Sequence, residues 1–333
     1  MRAIVMTTTG CPDVLVVEDA PVPTAGEGEI VVRAEAIPVL WPELMLRSGA
    51  FPTPVPPPLV FGFQAAGTVV ETGPGVDTAL VGTRVIAKTA GAGAYAEFVA
   101  AAAATATPIP DGLDTLAAAA VLMPGSVGSA LLSTAVLTGS ETVLVQAGAT
   151  GIGAYLVQAA KAGGAKRVIA TAGGAAKAGR ATELGADLVV DHNDPQWPDR
   201  LRELLDGATV DVVFDSIGGP ASRALLEVMT PLHGRMLVYG FLSGAPAQVT
   251  AADLLMRGLT VIGCSGPQWS ALVQQESAGV LERAATTGPR AHIDTVLPLG
   301  GAAEAHRLLE SRRPLGAVLL QPETLIPETG SRA

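Results

Sequence analysis

The sequence predicts an α/β fold in which a doubly wound parallel sheet follows a β-rich N-terminal domain. From about residue 125, short runs of Val, Ile and Leu alternate with glycine turns and helical segments. Such runs are typical of parallel strands that are buried on both faces and joined by crossover helices. Before residue 125, strand-like segments at 30–34, 67–71 and 83–88 surround a rigid proline-rich loop at 51–58.

The alternating pattern assigns the elements of the parallel sheet one after another. We expect strands at 142–146, 167–171, 188–190, 210–214, 235–239 and 260–264. Between them we expect helices at 151–162, 175–184, 197–205 and 220–229. The tail beyond residue 265 adds two helical segments and a final strand at 317–321. A chain of 333 residues therefore suits two domains.

Composition and charge argue against several classes of protein. Hydrophobic residues make up 49% and charged residues 16%, so disorder is not expected. A net charge of −10 without a basic stripe makes nucleic acid and anionic membranes poor partners. The apolar stretches are interrupted by Gly, Pro or Thr, and the N-terminus lacks the layout of a secretory signal. We therefore expect a soluble cytoplasmic protein.

The possible metal ligands are few and scattered. The two cysteines, Cys11 and Cys264, stand in no CxxC or Cys/His cluster, and the four histidines are far apart in the sequence. We expect neither a disulfide framework nor a metal site, because a structural zinc ion needs four ligands.

A glycine-rich turn between an expected strand and helix is the strongest motif. The segment VLVQAGATGIG (143–153) ends in a turn whose glycines would let the backbone approach a pyrophosphate, while the helix N-terminus offers free N–H groups. The middle glycine of the usual pattern is replaced by a threonine, but the strand–turn–helix context supports a dinucleotide site. The alternative is a tight turn without a ligand. The residues expected to bind the cofactor here are Gly148, Ala149, Thr150, Gly151, Ile152 and Gly153.

The segment after the second strand indicates which dinucleotide is bound. An NAD site usually has an acidic residue there, for the ribose 2′-OH. Between Thr171, Gly173 and Arg180 there is none, and Lys177 and Arg180 lie one helical turn apart. Two cations without a carboxylate favour a 2′-phosphate, and hence NADPH. The alternative is a solvated basic helix face.

Six short segments, in this order, resemble motifs of one family. They are LRSG (46–49), VGTRV (81–85), GAYAEF (93–98), ETVLV (141–145), LGAD (184–187) and DSIGG (215–219). The sequence is thereby similar to the medium-chain dehydrogenase/reductase superfamily, specifically its zinc-free quinone oxidoreductase branch. The resemblance implies a GroES-like catalytic domain at 1–125, to which 265–333 returns, and a Rossmann NADPH-binding domain at 126–264.

The resemblance also implies roles for single residues. Five further positions would line the nicotinamide half of the cofactor site: Ser126, Ser216, Ile217, Gly240 and Phe241. Leu40, Phe63 and Gln64 stand where the zinc branch carries its catalytic ligands, so no catalytic zinc is expected. The quinone branch normally has Asn, Asp, Glu and Lys where this chain has Leu40, Glu43, Gln64 and Ala317.

The remaining polar groups favour reduction of a conjugated substrate. Reduction of an isolated carbonyl needs zinc or a Tyr/Lys pair to hold the oxygen's charge, and neither is identified in the sequence. The pocket candidates by position are Trp41, Phe51 and Gln64, with core packing or an amide satisfied by backbone as alternatives. Glu43 is either a general acid or a surface carboxylate, and Tyr95 is expected to be structural.

We therefore expect an NADPH-dependent reductase of quinones or enones. The alternatives are a pathway-specific enoyl reductase for a larger apolar, polyketide-like intermediate, and a non-redox NADPH-binding protein or cyclase on the same fold.

The apolar segment 260–264 is expected to be an edge strand of the Rossmann sheet. We expect it to pair across a two-fold axis in a homodimer, unless the C-terminal tail covers it.

Overall fold

The computed structural model of the protein describes residues 1–51, 55–89 and 91–323. These residues form two compact units, one comprising Met1–Ala120 with the segment from His292 onward, the other Val121–Ala291. The proline-rich loop expected at 51–58 lies partly outside the described residues, because 52–54 are not among them.

The first unit is built on two β-sheets. Its N-terminal elements are β1 (Arg2–Met6), β2 (Leu15–Asp19), β3 (Glu29–Pro38), α1 (Trp41–Ser48), β4 (Leu59–Val60), β5 (Gln64–Thr72), β6 (Arg84–Lys88), β7 (Phe98–Ala102) and β8 (Thr107–Pro108). A small antiparallel sheet has the order β2-β1-β4. In the larger sheet β3 pairs with β5 and β7, β5 with β6, and β6 with β8, all antiparallel.

The second unit is the doubly wound parallel sheet that the sequence predicts. Its elements are α2 (Thr115–Ala135), which enters it from the first unit, β9 (Thr142–Val145), α3 (Gly151–Ala162), β10 (Arg167–Ala172), α4 (Ala175–Glu183), β11 (Leu188–Asp191), α5 (Trp197–Leu205), β12 (Val212–Asp215), α6 (Ala221–Val228), β13 (Arg235–Val238), α7 (Ala251–Arg257), β14 (Thr260–Gly263) and α8 (Pro267–Ala285). The strand order is β11-β10-β9-β12-β13-β14, and all pairs are parallel. This is the order of a Rossmann fold, with β14 at one edge.

The chain returns to the first unit later than residue 265. Helix α8 stays with the second unit, where Ser277 on α8 lies 3.2 Å from Ser126 on α2, hydroxyl to hydroxyl. The returning elements are β15 (Ile293–Pro298), α9 (Ala302–Glu310) and β16 (Ala317–Gln321). Strand β15, which the sequence analysis did not anticipate, pairs in parallel with β16, and β16 pairs with β3.

Helix α2 runs through the position at which the sequence suggested a change of domain. Pro124 lies inside it, and Gly125 follows in the same helix. A Cβ atom on Gly125 would lie 2.4 Å from Val280 Cγ1, and one on Gly128 would lie 2.5 Å from Tyr155 Cδ1. The two glycines therefore let α8 and α3 pack closely against α2. Helix-breaking residues here mark close packing rather than a boundary.

The same helix bears on the expectation that no apolar stretch is long enough to cross a membrane. By length and composition α2 qualifies, with a mean hydropathy of 1.7 over its 18-residue window. Of that window, 67% is buried inside the protein, and the core helix of a soluble protein meets the same criteria. Its apolar character is therefore weak evidence for a membrane span.

Candidate functional site

The glycine turn after β9 has the geometry that close approach to a ligand requires. A Cβ atom on Gly153 would lie 2.2 Å from the carbonyl oxygen of Ala147, so only glycine lets α3 begin so near the strand. Gly148 donates its N–H to the carbonyl of Thr171 on β10. Gly151, the first residue of α3, has φ +53°, and a Cβ atom there would meet nothing within 4 Å.

The start of α3 is therefore an open cradle lined by backbone. Thr150 precedes the helix, and its side chain makes no capping hydrogen bond within the described part of the chain. Helix N-termini with uncapped N–H groups carry a partial positive charge and favour phosphate oxygens. Residues 148–153 thus fit the pyrophosphate of a dinucleotide.

A cluster of side chains connects the ends of β10 and β11. Thr171 accepts a hydrogen bond from the Ala147 N–H, and its hydroxyl lies 3.0 Å from His192 Nδ1. A Cβ atom on Gly173 would lie 3.1 Å from His192 Nε2. The expected cofactor positions Thr171 and Gly173 are thus brought beside the glycine turn. His192, which the sequence analysis did not single out, joins them.

The two expected cations lie on α4, but a carboxylate accompanies them. Lys177 is in the first turn of α4, and Arg180 forms an ion pair with Glu183 at 3.3 Å. Asp191, at the end of β11, accepts hydrogen bonds from the N–H groups of Gly174 (3.0 Å) and Asn193 (2.9 Å), and these lower its pKa. The segment 170–180 carries no acidic residue, as the sequence shows, and the carboxylate at the start of α4 comes instead from Asp191 on the neighbouring strand.

Gln146 connects residues at the ends of β9 and β12. Its side-chain oxygen accepts the N–H of Ile217 (3.2 Å), and its backbone carbonyl lies 3.4 Å from the Ser216 hydroxyl. A Cβ atom on Gly240 would lie 3.0 Å from the Ser216 carbonyl oxygen. Three expected cofactor residues thus lie together, and Phe241 follows with 44% of its surface exposed.

Ser126 differs from these residues in its surroundings. It is fully buried on α2, where its hydroxyl donates to the Leu122 carbonyl (2.7 Å) and lies 3.2 Å from the hydroxyl of Ser277. Its role in cofactor binding remains a prediction.

Asp215, in the DSIGG motif, was not proposed for the site. It organises this turn by accepting the N–H groups of Ile217 and Gly218, both at 2.9 Å.

In the first unit, Glu43 is the best-connected of the candidate residues. Its carboxylate is fully buried and accepts three hydrogen bonds: from the N–H of Leu40 (2.7 Å), the N–H of Phe63 (2.8 Å) and the Tyr95 hydroxyl (2.7 Å). Burial raises the pKa of Glu43 to about 7, although each hydrogen bond opposes the shift. The alternative of a surface carboxylate was therefore wrong.

A directed hydrogen-bond chain continues from Tyr95 to a buried arginine. Arg47 Nε donates to His306 Nδ1 (3.2 Å), because a guanidinium has no acceptor. Burial, together with the charge of Arg47, lowers the pKa of His306 to about 3, so the imidazole is neutral and its proton lies on Nε2. That atom lies 3.3 Å from the Tyr95 hydroxyl, to which it donates. Arg47 also donates to the Gly10 carbonyl and to Glu310.

The pocket candidates lie on the two segments that Glu43 joins. Trp41 follows Leu40 and is half-buried, with the Arg312 guanidinium 4.6 Å above its ring. Gln64 follows Phe63, is 3% exposed, and its Nε2 has no hydrogen-bond partner among the described residues. The alternative of an amide satisfied by backbone is therefore wrong for this atom. Trp41 and Phe51 both pack against the apolar core of the unit, as the core alternative anticipated.

Relatives of known family agree with this arrangement over nearly the whole chain. The alcohol dehydrogenase GroES-like domain family matches residues 26–111, and the zinc-binding dehydrogenase family matches 151–285. A quinone oxidoreductase of Pseudomonas aeruginosa is 32% identical, covering 94% of this chain and 97% of its own. The chain belongs to the medium-chain dehydrogenase/reductase superfamily, in its zinc-free quinone oxidoreductase branch. It is therefore an oxidoreductase with the Rossmann and GroES-like domains that the resemblance implied.

Two further members are similar along the same length. A 2-haloacrylate reductase from a Burkholderia species is 31% identical over 97% of this chain and 99% of its own. The crystal structure of Escherichia coli quinone oxidoreductase complexed with NADPH has a TM-score of 0.87 and 30% identity, covering 97% of this chain and all of that one. In the present chain, no group of three or more His, Cys, Asp or Glu among the described residues is placed to hold a metal ion.

We predict that the contribution of Glu43 to the free energy of unfolding falls as pH rises. Its pKa is about 7 in the folded chain against an ordinary value of 4.5, so the folded state binds the proton more tightly. Between these values the unfolded state holds fewer protons, and stability falls as pH rises. The free energy of unfolding of wild type minus that of Glu43→Gln is thus expected to decrease from pH 4.5 to 7 and then level off. Parallel denaturant titrations measure it, and a constant difference would contradict the prediction.

Proposed function

We propose that the chain is an NADPH-dependent, zinc-independent reductase that transfers hydride to a quinone or to the conjugated double bond of an enone. The observation that carries the proposal is the buried Gln64 amide, whose Nε2–H group has no partner within the described chain. A buried donor without a partner costs roughly 1–3 kcal/mol, so its retention favours a ligand oxygen as the missing acceptor.

The first supporting argument concerns the cofactor. The cradle at residues 148–153 fits a pyrophosphate, and Lys177 and Arg180 supply positive charge on α4. NADPH, when bound, supplies the hydride. The same cofactor is present in the Escherichia coli relative. Asp191 already has a structural role, because its Oδ1 accepts the N–H groups of Gly174 and Asn193 at the start of α4.

The second argument concerns the acceptor. A conjugated carbonyl spreads the incoming charge over its own π system, so a hydrogen-bond donor such as Gln64 is enough where a metal ion would otherwise be needed. Leu40 and Phe63 leave apolar walls at the positions of zinc ligands. The similarity to a 2-haloacrylate reductase also favours an activated carbon–carbon double bond.

An enoyl reductase for a larger apolar intermediate is the second candidate. It is favoured by the aromatic wall that Phe51 and Phe63 form, with ring centroids 5.9 Å apart. A bulky apolar substrate would bury more surface against such a wall than a simple quinone does.

A panel of electron acceptors tests the function. NADPH consumption is measured with 1,4-benzoquinone, 9,10-phenanthrenequinone and alkenals, each with and without EDTA. Turnover of any of them that persists in EDTA is expected. Activity lost to chelation and regained with zinc would contradict zinc independence. Silence on the panel despite tight NADPH binding would favour the larger substrate, a non-redox NADPH-binding protein or a cyclase.

Cofactor preference gives the next prediction. Lys177→Ala is expected to weaken NADPH binding by roughly 1.5–3 kcal/mol, the value of a charge-assisted hydrogen bond, and to leave NADH binding nearly unchanged. Fluorescence titration of both cofactors measures the difference, with Lys166→Ala, an exposed lysine before β10, as control. Equal weakening of NADPH and NADH binding would contradict a role of Lys177 in binding the 2′-phosphate.

We further propose that the enzyme is a cytoplasmic homodimer that pairs through β14. This strand is at the edge of the Rossmann sheet, while β15 and β16 of the tail belong to the sheet of the first unit. Leu232, Leu255 and Met256 are 77%, 83% and 82% exposed, and the Leu232 N–H binds the carbonyl of Arg257, just before β14. A second copy of the chain would pair with the open strand edge and bury the exposed apolar side chains beside it.

The dimer is expected to dissociate when the edge strand carries a charge. Val261→Asp places a carboxylate in β14, which self-pairing would bury against its counterpart. Light scattering is expected to give twice the 33.5 kDa chain mass for wild type and the single mass for the variant. Val17→Asp, on the edge strand β2 and 44% exposed, is the matched control. A monomeric wild type at micromolar concentration would rule the dimer out.

A further inference from the structure

Gln64 has a polar neighbour on the adjacent strand. In the antiparallel pair of β5 and β6, Gln64 lies directly opposite Lys88, Ala65 opposite Ala87, and Ala66 opposite Ile86. Directly opposite residues of an antiparallel pair project from the same face of the sheet, with Cβ atoms about 4.5–5.5 Å apart. The Gln64 and Lys88 side chains therefore start as neighbours.

The face that they share is not the face of the apolar cores. Successive residues of a strand project to opposite faces. Ala65, next to Gln64, belongs to the core around Tyr95, and Ala87, next to Lys88, belongs to the core around Val69. Gln64 and Lys88 thus project away from both cores.

Both side chains are largely removed from water. Gln64 is 3% exposed with an unpartnered Nε2 among the described residues, and Lys88 is half-buried. Burial lowers the pKa of Lys88. Among the described residues, the other charged groups on this face have partners of their own. Arg84 donates to the carbonyls of Leu113 and Pro110, and Glu35 accepts from two threonine hydroxyls. Arg33, opposite Thr68, forms an ion pair with Glu35 at 3.9 Å.

We propose that Gln64 and Lys88 form a two-donor site for an oxygen atom that carries negative charge, with Lys88 as a catalytic proton donor. The proposal deepens the function proposed above and rests on it. An amide N–H and an ammonium group that start from directly opposite positions on neighbouring strands can donate to the same oxygen, and an ammonium ion is the stronger of the two donors. The oxygen is that of the substrate carbonyl.

With an enone as substrate, the hydride that NADPH supplies brings an electron pair to the β-carbon, and the nicotinamide is oxidised. The carbon–carbon π pair moves between the α- and carbonyl carbons, and the carbonyl π pair moves to oxygen. Lys88 Nζ gives that oxygen a proton, which leaves an enol and a neutral amine. Water returns a proton to the amine, and the enol takes a proton from water at the α-carbon as its hydroxyl proton is released.

The test compares Lys88→Met, Lys88→Arg and the control Lys166→Met. Methionine keeps the length and apolar stem of lysine, while arginine keeps the charge but does not release its proton in proteins. Three quantities are measured for each: the Kd of NADPH by fluorescence titration, kcat and KM with 3-buten-2-one, and kcat against pH. Thermal unfolding verifies that each variant is folded.

For a substrate oxygen, Lys88→Met is expected to lower kcat about 10²-fold or more, the range of general acid catalysis, with the Kd of NADPH unchanged. Lys88→Arg is expected to lose kcat as well. Wild-type kcat is expected to fall at alkaline pH as Lys88 deprotonates, and this limb is expected to be absent from Lys88→Met. A folded Lys88→Met that keeps kcat with saturating NADPH and only weakens NADPH binding would overturn the proton-donor role.

A further variant tests the proximity of the two side chains. Gln64→Glu places a carboxylate beside Lys88, which raises the pKa of the lysine and is expected to move the alkaline limb of kcat to higher pH. A purely structural lysine would give no such movement.

The site is overturned if folded Lys88→Met matches Lys166→Met in kcat, pH profile and Kd of NADPH. If wild type turns over no acceptor in the panel, the proposed function fails, and the site, which rests on it, fails with it. If wild type turns over an acceptor and Lys88→Met matches the control, the site fails alone.

Discussion

The buried carboxylate of Glu43 fixes the geometry on which the first unit's candidate site depends. One side chain holds the backbone N–H of Leu40, which starts α1, and the backbone N–H of Phe63, which leads into β5. A carboxylate buried away from water is stable only when hydrogen-bond donors fill its acceptor positions. Both segments and the Tyr95 hydroxyl supply those donors, so they are held in place. Trp41 and Gln64, each one residue further along, take their positions from this carboxylate.

The chain of hydrogen bonds behind Glu43 stabilises the site but does not conduct protons. Every donor points towards the carboxylate: Arg47 to His306, His306 to Tyr95, and Tyr95 to Glu43. A proton moved along this direction would have to be replaced by the guanidinium, which does not deprotonate in proteins. We therefore propose that Glu43 acts as a positioning residue and that the proton comes from another group, such as Lys88.

The sequence predicted local structure well and missed what long-range contacts create. The bounds of the helices at 151–162 and 197–205 agree with the structure, because glycine turns and apolar periodicity are local signals. Helix α2 was missed because Pro124 and Gly125 resemble a break. Tyr95, which binds Glu43, lies 52 residues away from it, and His306, which binds Tyr95, lies 211 residues further along. The pairing of Gln64 with Lys88 is a matter of strand register. The GAYAEF motif did mark Tyr95, but nothing in it indicated a carboxylate partner.

The absence of zinc ligands at Leu40 and Phe63 changes the chemistry without changing the scaffold beneath it. Glu43 binds the backbone of both positions, not their side chains, so the two segments keep their arrangement whatever residues they carry. With apolar side chains there, the proposed site draws its hydrogen-bond donors from Gln64 and Lys88. Without a Lewis acid, hydrogen-bond donors suffice for the oxygen of a conjugated carbonyl, whose negative charge is delocalised. They are less sufficient for the oxygen of an isolated carbonyl, which must carry the full charge. The retained scaffold and the changed side chains together favour conjugate reduction over the reduction of an isolated carbonyl.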